Sequence, residues 1–341
     1  MGTALGELIE TEEISFEHMN DQTIAVDAMN TLYQFLSIIR QPTGSPLKDS
    51  QGRVTSHLSG LFYRTNKLLQ KNIEPVYVFD GSSPELKQKE QQKRKEKREK
   101  ARKEWKEAVQ AGDMDEAFTK ATQSSKLTSD DIKRAKQLLD AMGVPYIQAP
   151  SEGEAQAAFM NTNNHVWAVG SQDWDSLLFG ADRLVKNLTT TGRRKIQGKD
   201  AYKQVVPELV TREQALDQID VSHEELIWIG LLLGTDFNPG GIKGIGPKTA
   251  PELVRQYESF GQLLQEEGLD WEHDSNHETI IDFFKDPPTV DVAFSSDEPD
   301  IEAIVELLVE AHDFSEDRVR STAQDMQEAR QSRQKGLGSF T

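Results

Sequence analysis

The chain contains no cysteine, which removes disulfides, thiolate metal centres and cysteine nucleophiles from consideration. That absence fits a reducing, intracellular setting, and a cytoplasmic location is expected. No apolar run approaches the roughly 18 residues of a membrane span and no signal peptide opens the chain, so a soluble protein with no membrane partner is expected. Histidine is scarce, and only His273 and His277, four apart, have chelating spacing. They fall in an acidic, Asn- and Ser-containing stretch that reads as a loop, which leaves zinc chemistry without a ligand set.

Basic charge is the other scarcity. Against 57 acids stand 39 bases, a net charge of −18 over 341 residues, and such a surface normally repels nucleic acid. The average conceals a local excess. Eleven bases and four acids lie between Lys87 and Lys106, making that segment +7 and the remainder −25. An acidic body with one concentrated basic block fits a protein adapted to high salt. The block itself reads either as a solvated helix or as a contact for a phosphate backbone.

What the chain does have is a repeated ending. Thr23–Val26 is a buried-strand run that stops at Asp27; Pro75–Phe79 stops at Asp80; Val166–Val169 leads to Asp173 and Asp175. Helical periodicity separates these runs, at Asn30–Arg40, Ser56–Lys71 and Ser129–Met142, the last followed by a short strand at Val144–Ile147. This alternation predicts an α/β fold with a central, mostly parallel sheet flanked by helices, whose ligands bind beyond the carboxyl ends of the strands. Glu152 and Glu154 open a further helix, with Ser151 and Glu154 in capping-box spacing, and Asp236 follows a helix at Glu224–Leu233. Asp173 and Asp175, alternate residues of an extended segment, are expected to face the same way.

Seven carboxylates, Asp27, Asp80, Glu152, Glu154, Asp173, Asp175 and Asp236, thus occupy the ends of apolar elements. Gathered together they would repel, and only cations or raised pKa values relieve that. An all-oxygen ligand set favours Mg²⁺, with Mn²⁺ as a substitute, and two such ions suit phosphodiester hydrolysis. The glycine-rich run Gly240–Ala250 lacks the glycine and lysine offsets of a nucleotide-binding loop, but offers Gly and Lys at a tight turn where backbone amides can hold a phosphate. Tyr33, on the helix leaving Asp27, is either a packing residue or a stacking platform for a base. Gly192–Lys195 reads as a basic turn, Ile301–Ala311 and Ser315–Ser332 as helices, and the end of the chain as a loose tail.

Taken in order, IAVDAMNTLYQFL, TSHLSGLFYRT, PVYVFDG, APSEGEAQAA, LLGTDF, GIKGIGPKTA and the terminal QKGLGSF resemble the archaeal flap endonucleases of the XPG family of structure-specific 5′-nucleases. The resemblance implies a PIN-like nuclease domain over 1–327, with a helical arch inserted at about 82–128, a helix–two-turn–helix element at about 224–257, and a flexible tail over 328–341. It implies two-metal removal of 5′ flaps from branched DNA in replication, including Okazaki fragment maturation, and in repair. All seven carboxylates match the family's metal positions. Lys87 and Arg94 match the bases at the scissile phosphate; Gly2, Tyr33, Arg40, Gly241, Lys243, Gly244, Gly246, Lys248 and Thr249 match DNA contacts, the turn often with K⁺. Gln334, Leu337 and Phe340 resemble a box that binds the replication sliding clamp (PCNA), with Thr341 where a second aromatic is usual. A monomer is expected. A 5′-exonuclease or RNase H-type relative, or a non-catalytic scaffold at DNA junctions, are the alternatives.

Overall fold

A computed structural model describes residues 4–41, 44–82, 84, 100, 103–104, 126–190, 192–195 and 202–338. Its strands are β1 (Glu12–Glu13), β2 (Thr23–Asp27), β3 (Glu74–Phe79), β4 (Tyr146–Gln148), β5 (Ala168–Gly170), β6 (Arg183–Lys186), β7 (Gly192–Lys195), β8 (Tyr202–Val205) and β9 (Glu208–Thr211). Seven of them form one sheet in the order β1-β9-β6-β5-β2-β3-β4. Strands β2 to β6 run parallel to one another, β9 joins β6 antiparallel, and β1 closes that edge antiparallel to β9. The expected mostly parallel sheet is present.

Alternation along the strands splits the core in two. Ile24, Val26, Tyr77 and Phe79 face one layer. It comprises α1 (Ala28–Ile38), α2 (Ser56–Gln70), α3 (Ser129–Ala141) and, from the end of the chain, the short helix at Ile301–Val305 and the long one at Glu316–Gly338. Ala25, Val76, Val78 and Val169 face the opposite layer. There lie α4 (Gly153–Thr162), α5 (Asp175–Leu178), α6 (Arg212–Ile219), α7 (His223–Leu233), α8 (Ala250–Val254), α9 (Phe260–Glu266) and α10 (His277–Lys285). The two terminal helices are α11 and α12.

Four local expectations need correction. The run at Val166–Val169 is regular strand only from Ala168: the Trp167 amide already bonds the Thr23 carbonyl of β2, but the Asn161 side-chain amide takes the carbonyls of Val166 and Trp167, and the Val166 amide bonds back to Met160. The basic turn is instead β7, paired antiparallel with β8, and both β8 and β9 escape a reading by apolar runs because they carry Lys and Glu. The helix at Ile301–Ala311 is α-helical to Val305 and then a π-helical turn over Glu306–Glu310. The loose tail does not begin at 328, since α12 continues to Gly338.

Candidate active site

Strands β2, β3 and β5 are adjacent and parallel, with Val26 in register with both Tyr77 and Gly170, so their carboxyl ends meet at one sheet edge. Asp27 ends β2 and caps α1, its Oδ1 accepting the Asn30 amide at 3.0 Å. Asp80 follows β3, and its Oδ1 accepts the Gly153 amide at 2.8 Å. That bond occupies the place of a helix cap. Ser151 and Glu154 form no capping box; Glu152 is the N-cap residue of α4, without a side-chain bond to it. The backbone around Asp80 is pinned further by Gln148, whose amide donates to the Asp80 carbonyl, and by Gly81, where a Cβ would lie 2.1 Å from the Ala149 carbonyl oxygen.

Ser171 follows β5 and is buried among acids. Its Oγ lies 3.4 Å from Asp27 Oδ2 and 3.2 Å from Glu154 Oε1, and accepts the Asp173 amide at 3.1 Å. With one proton to give, the hydroxyl serves one carboxylate at a time. Oxygens of Glu154, Asp173 and Asp175 all fall within 4.8 Å of one another. Asp175 reaches this group by opening α5, not by strand alternation as expected. Asp236 arrives from beyond α7, on a bend stitched by the buried Asn238, which bonds the Thr235 amide and hydroxyl and the Leu231 carbonyl.

The electrostatics record this crowding. Burial, then the charges of Asp80 and Asp173, push the Asp27 carboxyl up to about 7. Asp173 is raised by burial, with Asp236 adding to it. Lys186 on β6, its Nζ 3.9 Å from the centroid of the Trp174 ring, is depressed by burial while Glu208 and Asp173 attract it. An all-oxygen set under such repulsion fits a hard divalent cation.

Two family models match the chain: the XPG N-terminal domain over residues 3–101 and the XPG I-region over 143–236. The chain is 48% identical to flap endonuclease 1 of Pyrococcus abyssi over 330 residues, covering 96% of this chain and 95% of that protein. The Caldivirga maquilingensis flap endonuclease 1 is 50% identical over 344 residues, 99% and 97% of the two. The chain belongs to the flap endonucleases of the XPG family. Among solved structures, the Methanococcus jannaschii flap endonuclease-1 superposes with a TM-score of 0.77 at 41% identity, over 96% of this chain and 98% of that one. The catalytic core of Rad2 in complex with a DNA substrate gives 0.67 at 25%, over 94% and 97%.

Elsewhere this flap endonuclease places its other expected residues as follows. Tyr33 is half-buried against the α1–α2 core, and Arg40 donates to the carbonyls of Ser37 and Gly44, burial holding its guanidinium down at about 10. Between α7 and α8 the glycine-rich stretch turns at Asn238–Gly241, Ile242–Ile245 and Gly246–Thr249, with positive φ at Gly240, Gly241 and Gly244 and with Lys243, Gly244, Lys248 and Thr249 exposed. Among the described residues, the amides of Lys243, Gly244 and Gly246 donate to no other residue. His273 and His277 both lie edge-on to Trp271. Gly2, Lys87, Arg94 and Phe340, and the side chains of Gln334 and Leu337, lie outside the described residues. Reading the sequence missed Ser171, Gln148 and Asn238. The available signal was weak: a serine two residues before Asp173, and Thr235 and Asn238 bracketing Asp236 in turn-forming spacing.

Proposed function

We propose that this chain is a divalent-metal-dependent endonuclease that removes 5′ flaps from branched DNA in replication and repair, leaving a 5′-phosphate and a 3′-hydroxyl, with 5′-to-3′ exonuclease activity beside it. The observation that supports it most is the meeting of acids from separate stretches, Asp27, Glu154, Asp173 and Asp175 among them, at the carboxyl edge of one sheet.

Glu152, Glu154, Asp173 and Asp175, with Asp27, Asp80 and Asp236, would hold two Mg²⁺ ions, for which Mn²⁺ could substitute. Those ions, when bound, supply Lewis acidity to the attacking water and the departing oxygen. The protein's own part is positional. Gln148 and the Gly153 amide fix Asp80, Ser171 holds Asp27 and Glu154 toward one point, and the Asn238 bend presents Asp236. Lys87 and Arg94 take the scissile phosphate, Tyr33 stacks on a base beside it, and Gly2 and Arg40 contact the DNA nearby. The Gly241–Thr249 turn grips downstream duplex through its amides, Lys243 and Lys248, with K⁺ as its counter-ion, and without reading sequence.

The enzyme works inside the cell at the replication fork, as a single nuclease domain over 1–327 with the arch over about 82–128. Gln334, Leu337 and Phe340 dock on the sliding clamp, more weakly than with a second aromatic at Thr341. Equal clamp affinity of tail peptides with Phe340 and with Phe340→Ala would refute that assignment. The acidic body is suited to high salt, and a fold and activity indifferent to low ionic strength would remove that reading.

Cleavage of a double-flap substrate with and without Mg²⁺, across salt concentrations, tests the whole. Flap release only with the metal is expected; tight junction binding without any metal-dependent cut would leave a scaffold instead. A parallel panel of nicked and RNA-containing substrates separates flap cutting from a 5′-exonuclease or RNase H-type activity.

A further inference from the structure

The turn between α7 and α8 is held from outside as well as within. Inside it, the Gly241 amide donates to the Asn238 carbonyl and the Ile242 amide to Leu232, and a Cβ on Gly241 would lie 2.2 Å from the Leu232 carbonyl oxygen. The chain is therefore pressed against the end of α7 with no room to shift inward. From outside, His273 Nε2 sits 3.1 Å from the Gly241 carbonyl oxygen. Because a carbonyl only accepts, this nitrogen carries the proton.

The imidazole is itself held. Its ring centroid is 4.7 Å from that of Trp271, at 66° between planes. The Trp271 indole N–H donates to the Ser275 carbonyl at 2.7 Å, and its ring stands edge-on to the buried Phe260, 5.9 Å between centroids at 89°. His277 packs on both rings. An aromatic cluster rooted in the core under α9 thus aims one N–H at the backbone of the turn, thirty-two residues away in sequence.

We propose that His273 is a positioning residue for DNA: it fixes the peptide after Gly241 so that the following amides, with Lys243 and Lys248, present a preformed surface to backbone phosphates. This rests on reading the turn as the grip on downstream duplex. A turn free to rock about four positive-φ glycines, Gly234, Gly240, Gly241 and Gly244, must be ordered by each DNA molecule it binds, and the cost appears in affinity.

The test is flap-DNA affinity together with KM and kcat. His273→Ala is expected to raise Kd and KM by about fivefold to tenfold, the measure of one lost hydrogen bond, with kcat unchanged. His273→Gln, whose amide keeps a donor at the same reach, is expected to recover most of the loss, while a merely structural role would track the melting temperature in both variants. Wild-type affinity in His273→Ala, or equal losses in both variants, overturns the proposal. Lys243→Ala combined with Lys248→Ala separates the two readings. If this pair weakens duplex binding while His273→Ala does not, only the role of His273 fails; if the pair binds as wild type, the turn is not the grip.

Discussion

Asp27 and Asp49 are both largely hidden from solvent, at 5% and 8% exposure, but Asp27 lies deep in the molecule and Asp49 close beneath its surface, and their carboxyls stand at about 7 and about 2. Both are penalised by burial, Asp27 from the greater depth, and they differ further in what was buried with them. Asp49 has His312 Nδ1 at 2.8 Å, Arg53 Nε at 2.7 Å and the amides of Gln51 and Arg53, while Arg53 reaches on to the Ala311 carbonyl. It clasps the loop before α2 to the segment after the π-helical turn. Asp27 has the Asn30 amide and the Ser171 hydroxyl, and its charged neighbours are Asp80 and Asp173. Depth alone does not mark a site. A buried acid surrounded by acids does, because the fold sustains repulsion that a bound cation relieves.

Asp27→Asn draws the contrast most sharply. Cleavage of flap DNA is expected to fall at least about a thousandfold, since the proposed ion-holding set loses a charge. In chelator the same variant should be more stable than wild type at pH 8. An acid raised above its unfolded value loses stability as pH climbs through the interval from 3.8 to about 7, and the amide escapes that loss. Chemical denaturation in chelator and in Mg²⁺ reads both signs; a variant destabilised in both would place Asp27 with Asp49. Asp49→Asn is the mirror experiment. It removes the charge that Arg53 and His312 share and turns an NH2 toward one of the two sets of donors, and a stability loss of about 2–4 kcal/mol is expected with or without divalent ions.

The difference between the two acids was only half legible. Asp27, Asp80 and Asp173 announce themselves because each ends a run of apolar residues, and a strand's end in a parallel sheet is a fixed place. Asp49 sits in Lys48–Val54, a polar stretch that reads as an ordinary turn; its burial depends on His312 and Ala311, and nothing local encodes a contact across more than 250 positions. The same reason hid Ser171, Gln148 and Asn238, whose residue types occur at any turn. Glu154 misled in the other direction. Its capping-box spacing is real, but α4 begins one residue later, with Glu152 as its N-cap and the Gly153 amide held by Asp80, and the Glu154 carboxylate meets Ser171 instead. Much of the basic block, and the residues after Gly338, fall outside the described residues.

His57 sharpens the clasp side. It is fully buried at the start of α2, 3.8 Å from Asp131, with no hydrogen bond to either ring nitrogen. Burial lowers its pKa to about 4, with Arg134 and His312 opposing the pull of Asp131. Between pH 6.5 and 4 the unfolded chain therefore takes up a proton that the folded chain refuses, and stability falls as pH is lowered through that window. The loss is on the order of 3 kcal/mol at most. Denaturant midpoints at pH 7 and pH 5 measure it, and His57→Gln should flatten the slope; an unchanged slope would show that another group sets it.

The smallest effect is expected where the two regions resemble each other. Among the described residues Ser171 is the one neutral hydroxyl bonded to Asp27, and it gives the pocket a trace of what the clasp has in full. Ser171→Ala removes the proton shared between Asp27 and Glu154 and the acceptor for the Asp173 amide, while leaving every carboxylate in place. In chelator the acids then face each other with less relief, and a stability loss of about 1 kcal/mol is expected. With divalent ions the carboxylates are neutralised from the other side, so the loss should shrink. Calorimetric titration with Ca²⁺, which binds without requiring turnover, is expected to show affinity reduced by about threefold to tenfold, because the carboxylates must be gathered at the moment of binding. Ser171→Thr keeps the hydroxyl and should restore most of it. An affinity unchanged in Ser171→Ala would mean that the strand ends alone hold the acids in place, and that the hydroxyl fills space.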